Sequence, residues 1–331
     1  MKAIRFASKG VAELCELPKP VCTDDTMIIE VKYTGVTNGT DRNCFMGMTL
    51  ALGSWPDMGV NYQHAGVVIE VGKNIRNFKV GDHVFAGGVF VGYVHYIAAH
   101  EDDIVVKLPD DFPLKQAALL GVCGVGYHAN VRANTRPHDK VVVFGAGVIG
   151  INAMQGALAH GAEVYICDVD DRRLDMAMKL GAYGAFNTST KEGKDAVEAL
   201  GPFSLAFEVT GAHPVEVFLI GPGFSTRPGT VSSAKCLTTG SRVVMVAGRK
   251  DVQYNFNEAE MRELTIIHNT HYNATDIKNI IRHVQAGRMS IEGFMTNEFK
   301  YSEGVQLFNI IRDNPSELMG TVVNWSDCGD D

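Results

Sequence analysis

The residues best placed to do chemistry are three glycines and an acid. Val141-Val142-Val143-Phe144 is an apolar run that leads straight into Gly145-Ala146-Gly147-Val148-Ile149-Gly150, a G-x-G-x-x-G pattern. An apolar-periodic stretch follows (Ile151, Met154, Ala157, Leu158), and then a second strand pattern, Ala162 to Cys167, that ends in Asp168. The glycines serve three different purposes. Gly145 allows the tight turn out of the strand, Gly147 lets the backbone approach a pyrophosphate, and Gly150 lets the helix pack close to the sheet. The free N–H groups at the helix start would receive the anion. Asp168 lies 23 residues after Gly145, about where an acid bonds a ribose 2′-hydroxyl. A glycine-rich turn of purely structural purpose is the alternative, but strand, helix and acid together point to a dinucleotide site.

Asp168 also speaks to which dinucleotide. A carboxylate there repels a 2′-phosphate, so the expectation is NAD rather than NADP. Arg172 and Arg173 follow closely and pull the other way, unless they stack on adenine, bond the ribose or are simply solvated.

These residues need a frame. Residues 1–118 read as mostly β, with strand patterns at Met27–Tyr33 and Ala65–Gly72 and a turn at Phe78–Val84 that feeds another strand. Short strands punctuated by glycine predict a compact barrel-like domain. Pro109 and Pro113 mark its exit. From 119 to 270 strands (141–144, 163–167, 204–208, 242–246, 264–268) alternate with helices (147–160, 170–180, 193–200, 213–219), which predicts an α/β doubly wound parallel sheet. Helices at 274–286 and 302–314 and a strand at 320–324 close the chain, with Asp327–Asp331 expected to fray.

Composition narrows the partners. Hydrophobic residues make up 46% and charged residues 21%, with a formal charge of −8. That is ordinary for a globular protein, and with no basic run nucleic acid is not expected. No apolar run is long enough to span a bilayer, so no membrane partner is expected. The start, Met1-Lys2-Ala3-Ile4-Arg5-Phe6, lacks the apolar region of a signal peptide. Seven cysteines, scattered and without C-x-x-C, predict free thiols and a cytoplasmic location.

Over nearly its whole length the chain resembles the medium-chain dehydrogenase/reductase superfamily, its alcohol and polyol dehydrogenase group. Gly66-Val67-Val68-Ile69-Glu70-Val71-Gly72 followed by Phe78-Lys79-Val80-Gly81-Asp82-His83-Val84 is similar to the signature of that family's GroES-like domain. Glu208-Val209-Thr210-Gly211 and Val244-Met245-Val246-Ala247-Gly248 are similar to its strand ends beside the nicotinamide. The resemblance implies a GroES-like mostly-β catalytic domain (1–118, completed by 271–331), a Rossmann domain (119–270) and a site in the cleft between domains. It implies Gly145, Gly147, Val148, Ile149 and Gly150 at the pyrophosphate and Asp168 and Arg173 at the adenosine ribose. Thr210, Val246 and Gly248 would flank the nicotinamide. A homodimer or homotetramer is implied as well.

The resemblance stops at the metal. Many family members use zinc to lower the pKa of the bound alcohol. Here Asn38-Gly39-Thr40-Asp41 stands where C-G-T-D would, Asn61-Tyr62-Gln63 where G-H-E would, and Gly121 near the third ligand. Zinc selects thiolate, imidazole and carboxylate, so no catalytic zinc is expected. The short segment between Gly87 and Ala98 has no room for a four-cysteine lobe. One escape is a register shift that would make His64 a ligand, with Cys44 or Cys123 nearby.

Without metal, a side chain must move the proton. Thr40 matches the family's hydroxyl that contacts substrate oxygen. Tyr62 or His64 is then the expected acid/base, His64 for its near-neutral pKa, while Asn38 and Gln63 would orient the substrate. The bland alternative makes Tyr62 filler and His64 a core histidine. The loop Gly221–Gly229 could hold an anion or be plain surface, and His268-Asn269-Thr270-His271 could meet cofactor amide or substrate or be turn chemistry. The implied activity is an NAD-dependent oxidation or reduction at a hydroxyl or carbonyl of a polar small molecule (sugar, cyclitol or polyol). An NADPH-dependent quinone or enoyl reductase, or a non-catalytic nucleotide-binding homologue, is the competing reading.

Overall fold

The computed structural model describes residues 1–48, 55–211, 236–248, 252 and 254–329. The helix expected over 213–219 and the loop 221–229 lie outside the described residues. The chain forms two units, Met1–Val122 with Phe294–Asp331, and Cys123–Gly293.

In chain order come β1 (Lys2–Ser8), β2 (Val11–Glu16), β3 (Thr26–Gly35), α1 (Asn38–Phe45), β4 (His64–Val71), β5 (His83–Ala86), β6 (Tyr93–Val94), β7 (Tyr96–His100), β8 (Val105–Lys107), α2 (Leu114–Ala117) and α3 (Leu120–Ala133). Then follow β9 (Lys140–Phe144), α4 (Val148–Ala159), β10 (Glu163–Asp168), α5 (Asp171–Lys179), β11 (Gly184–Asn187), α6 (Lys191–Leu200), β12 (Phe203–Glu208), β13 (Leu237–Met245), α7 (Phe256–Glu260), β14 (Thr265–His268) and α8 (Ala274–Gln285). β15 (Asn297–Lys300), α9 (Gly304–Asp313) and β16 (Thr321–Asn324) complete the order.

The first unit is built on two sheets, β2-β1-β6 and a larger one ordered β15-β16-β3-β4-β5-β8, with β7 also on β3. The returning C-terminal strand β16 pairs antiparallel with β3 through Val322↔Gly35 and Val323↔Thr34. Its core holds an aromatic cluster. Phe308 of α9 lies 4.8 Å from Phe6, 5.2 Å from Phe45 and 5.2 Å from Tyr93, ring centre to ring centre. Tilted and edge-on contacts of this kind suit the ring quadrupoles. They seat α1, which carries Phe45, against the returning segment.

The second unit is one sheet with strand order β11-β10-β9-β12-β13-β14, and each neighbouring pair is parallel. Numbered within the unit, this is 3-2-1-4-5-6, the doubly wound dinucleotide-binding order. Val141, Val142 and Val143 of β9 are wholly buried because both faces of a central parallel strand are covered. The order reverses between β9 and β12, the point at which open sheets of this kind bind ligands in general.

Three expectations change. The division falls inside α3 and after Gly293, not at 118 and 270. Residues 271–293 stay with the second unit because Asp276 of α8 bonds His128 at 2.8 Å and Tyr272 packs on Gly124, where a Cβ would sit 2.6 Å from its ring. β11 is a strand the apolar pattern did not announce. Residues 327–329 are held rather than frayed: Asp327 accepts the N–H groups of Tyr301 and Ser302 at 3.2 and 3.1 Å, and Cys328 is buried.

Replacing Phe308 by Ala should cost about 3–5 kcal/mol of unfolding free energy, the usual loss for a buried phenylalanine. Chemical denaturation measures it, and a loss below about 1 kcal/mol would mean the cluster collapses around the gap.

Candidate active site

The second unit carries the glycine-rich loop. β9 runs into Gly145, whose φ of +100° an L side chain rarely adopts. A Cβ at Gly150 would lie 1.7 Å from the Gly145 carbonyl oxygen, so helix and loop approach too closely for any other residue. Gly147 precedes α4 in extended backbone, and a Cβ there would meet nothing within 4 Å. The glycines thus differ in their constraint: one turn, one close contact, and one position before the start of a helix. Val148 and Ile149 form the partly exposed first turn.

Asp168 ends β10 beside this loop. Its Oδ2 accepts the N–H of Ala146 at 2.6 Å, and its Oδ1 accepts those of Val169 and Asp170 at 2.7 and 3.0 Å. The carboxylate is half-exposed, and its oxygens have lone pairs left for a diol. Arg172 is drawn to Asp170, at 2.7 Å, and the Arg173 guanidinium lies 4.0 Å from the same carboxylate. Asp170 also caps α5 by accepting the Arg172 N–H at 3.0 Å.

At the ends of β12 and β13 the organiser is Glu208, which spacing did not single out. It is fully buried, and its Oε1 accepts the Thr210 N–H (2.7 Å), the Thr210 hydroxyl (2.6 Å) and the Gly211 N–H (2.9 Å). The Val246 N–H bonds the Glu208 carbonyl at 2.9 Å. A Cβ on Gly145 would lie 2.9 Å from the Thr210 methyl, so the glycine turn and Thr210 are packed together. Gly248 is exposed, with open space where a side chain would be. In the segment after β14, Asn269 donates its amide to the Val125 carbonyl at 3.2 Å, and His271 holds a φ of +52°.

The first unit carries a buried polar cluster. Gln63 is fully buried, its Oε1 accepting the Val122 N–H and its Nε2 donating to the Thr37 hydroxyl, both at 2.8 Å. Thr37 in turn donates to the Tyr62 oxygen, a long contact at 3.4 Å, and Thr40 is a second hydroxyl on that phenol. The amide Nε2 of Gln63 can only donate, so Thr37 accepts from it while donating to the Tyr62 oxygen. Burial, opposed by these hydroxyls, pushes the Tyr62 phenol up to about 12.

Two expected substrate contacts are engaged elsewhere. Both Gln63 amide ends are taken, so it acts through Thr37. Asn38, at the start of α1, donates to the carbonyls of Pro315 and Leu318 at 3.2 and 2.8 Å, which leaves only its acceptor oxygen. His64 is fully buried on β4 with Nε2 2.9 Å from the Gly92 carbonyl, and burial pushes its pKa down to about 4. That is the place of a neutral core histidine. Thr37 and Tyr93 do not stand out in the sequence, and Asp41 and Asn61 appear there only as members of the two segments aligned on the family's zinc motifs.

Zinc fits these residues poorly. The Asn38 amide nitrogen is committed to carbonyls, and Tyr62 stays a neutral phenol. Among the described residues no group of three or more histidine, cysteine or acidic side chains could hold a metal. Burial raises the thiol pKa of Cys44, to about 11, and that of Cys123, further from the thiolate that zinc needs.

The second unit has the strand order of dinucleotide-binding sheets, and comparison with known proteins gives the family. Residues 23–142 match the model of the alcohol dehydrogenase GroES-like domain, and residues 148–219 that of the zinc-binding dehydrogenases. The chain is 26% identical to an uncharacterised zinc-type alcohol dehydrogenase-like protein of Escherichia coli, over 96% of this chain and 97% of the relative. It is 25% identical to a probable D-xylulose reductase A of Arthroderma otae, over 94% of each. The crystal structure of 2R,3R-butanediol dehydrogenase from Bacillus subtilis superposes with a TM-score of 0.82 at 21% identity, covering 98% of this chain and 99% of the other. The chain belongs to the medium-chain dehydrogenase/reductase superfamily. Among the described residues no helix is long and apolar enough to cross a membrane.

Burial of His64 ties stability to pH. Its folded pKa is lowered from 6.5 to about 4, so the unfolded chain takes the proton first and stability is lost as pH falls through that window. Between pH 7 and pH 4 the protein should lose roughly 3 kcal/mol more than a His64→Gln variant, as measured by denaturation at both values. Equal losses would mean that His64 protonates within the fold.

Proposed function

We propose that the chain is an NAD-dependent dehydrogenase of a polyol, sugar or cyclitol-like substrate, handling the proton through Tyr62 and Thr40 without a catalytic zinc ion. The observation that carries this is the directed chain Gln63 to Thr37 to Tyr62, in which the phenol oxygen accepts from Thr37. The relatives with polyol and ketose names support the substrate class.

A bound nicotinamide supplies or accepts the hydride. This chain's residues do the rest. As a carbonyl oxygen gains charge during reduction, Tyr62 gives it a proton. Thr40, bonded to the phenol, then passes a proton from solvent back to the tyrosinate. With its pKa near 12, Tyr62 is ready as an acid at neutral pH but must lose its proton before it can accept one. Alcohol oxidation should therefore speed up with rising pH. His64 is set aside because its ring is buried and held on Gly92.

Preference for NAD rests on Asp168, whose carboxylate would face a 2′-phosphate. The two arginines that could offset it are directed at Asp170.

Tyr62→Phe should lower kcat for carbonyl reduction by about 10²–10⁴-fold with NADH affinity unchanged. Steady-state kinetics on a panel of ketoses and their polyols checks it, and unchanged turnover removes Tyr62 from the mechanism. For cofactor choice, wild-type protein should bind NADH at least about tenfold tighter than NADPH, and Asp168→Ser should erase most of that ratio. Fluorescence titration of both reduced cofactors reads it. A ratio near one in the wild type contradicts the assignment.

A further inference from the structure

Resting on the reading of Tyr62 as proton donor, we propose that Asp41 is its positioning residue: Asp41 holds Thr37 so that the threonine hydroxyl serves Tyr62 instead of capping a helix. The anomaly lies at the start of α1. Thr37 is the residue before the helix, where a threonine hydroxyl ordinarily accepts a backbone N–H of the first turn. Here it makes no such bond. The Asp41 carboxylate folds back instead, and its Oδ2 accepts the Thr37 N–H at 2.6 Å. The Asp41 N–H returns to the Thr37 carbonyl at 2.8 Å. With its backbone fixed from both sides, Thr37 turns its hydroxyl to Gln63 and Tyr62.

Asp41 is itself anchored. Tyr93 donates its hydroxyl to the same Oδ2 at 2.6 Å, and its ring sits edge-on to Phe308 in the aromatic core. A buried carboxylate with only neutral donors is costly to keep, and an apolar residue would fill the space at less cost. The titratable groups facing the cluster are Asp41 and Cys44 from α1, Tyr93 from β6, Tyr62 before β4, and Asp57, bridged to Phe6 of β1. Burial, opposed by the bonds from Tyr93 and Thr37, raises the Asp41 carboxyl to about 7. Once ionised, its charge adds to the proton affinity of Tyr62. Asp41 therefore acts in two ways on the phenol, through the orientation of Thr37 and through the field.

The test is an alkaline pH-jump in the stopped-flow, following tyrosinate absorbance of the cofactor-free protein. Wild type minus Tyr62→Phe isolates the Tyr62 transition. Asp41→Asn keeps an acceptor oxygen and removes the charge, and should lower that transition by about one pH unit or more. Thr37→Val removes the hydroxyl that steadies the phenolate and should raise it. Asp41→Leu removes the acceptor as well as the charge, so its transition should lie above that of Asp41→Asn, by about as much as Thr37→Val lies above wild type. Equal transitions in the two Asp41 variants, or an unmoved Thr37→Val, overturn the proposal. The optical reading needs no turnover. Full activity in Tyr62→Phe would therefore sink the proton-donor assignment while leaving the Asp41 link to be judged by its own shift.

Discussion

Gln63 holds the chemistry of the first unit together. One end of its amide satisfies the Val122 N–H at the first turn of α3, and the other donates to Thr37. A helix start leaves N–H groups without intrahelical partners, and burying one unsatisfied costs about 1–3 kcal/mol. A side chain with both a donor and an acceptor meets that need and still polarises the threonine. A glutamate there could not donate to Thr37, and the hydroxyl would have to turn toward it and away from Tyr62. The neutral amide therefore sets the direction of the hydrogen-bond chain from Gln63 through Thr37 to Tyr62.

The glycine-rich loop of the second unit rests on a different constraint, backbone proximity. Gly150 is pressed to the Gly145 carbonyl, and Gly145 packs against Thr210 at the end of β12. Because β9 and β12 are neighbours where the strand order reverses, the loop, the Asp168 carboxylate and the Glu208 turn gather at the C-terminal ends of the strands. Glu208 does for that edge what Gln63 does for the barrel: one buried oxygen gathers three donors and sets the loop that carries Thr210.

What could be read in the chain was what is local. The run into Gly145 and the alternation of strands and helices foretold β9, β10, β12 and β14 within a residue or two, since their apolar periods are strong. β11 was hidden because Gly184–Asn187 is an only partly buried edge with no apolar run. The site was legible only as a set of positions. Asn38 looks like a substrate contact until its amide meets carbonyls at Pro315 and Leu318 near the other end of the chain. Asp41 gains meaning only when Tyr93 arrives from β6, and His64 loses its catalytic promise through burial. Pairings between distant strands decide such matters, and spacing along the chain carries no record of them.

Proton transfer by side chains, where relatives have names that invoke zinc, is tested most directly by assaying metal and activity on one purified sample before and after chelation. A proton chain through Tyr62 and Thr40 predicts ketose reduction with less than about a tenth of an equivalent of zinc and no change after chelator. Stoichiometric zinc whose removal abolishes turnover and whose return restores it would contradict that mechanism and make His64 and the cysteines the residues to examine.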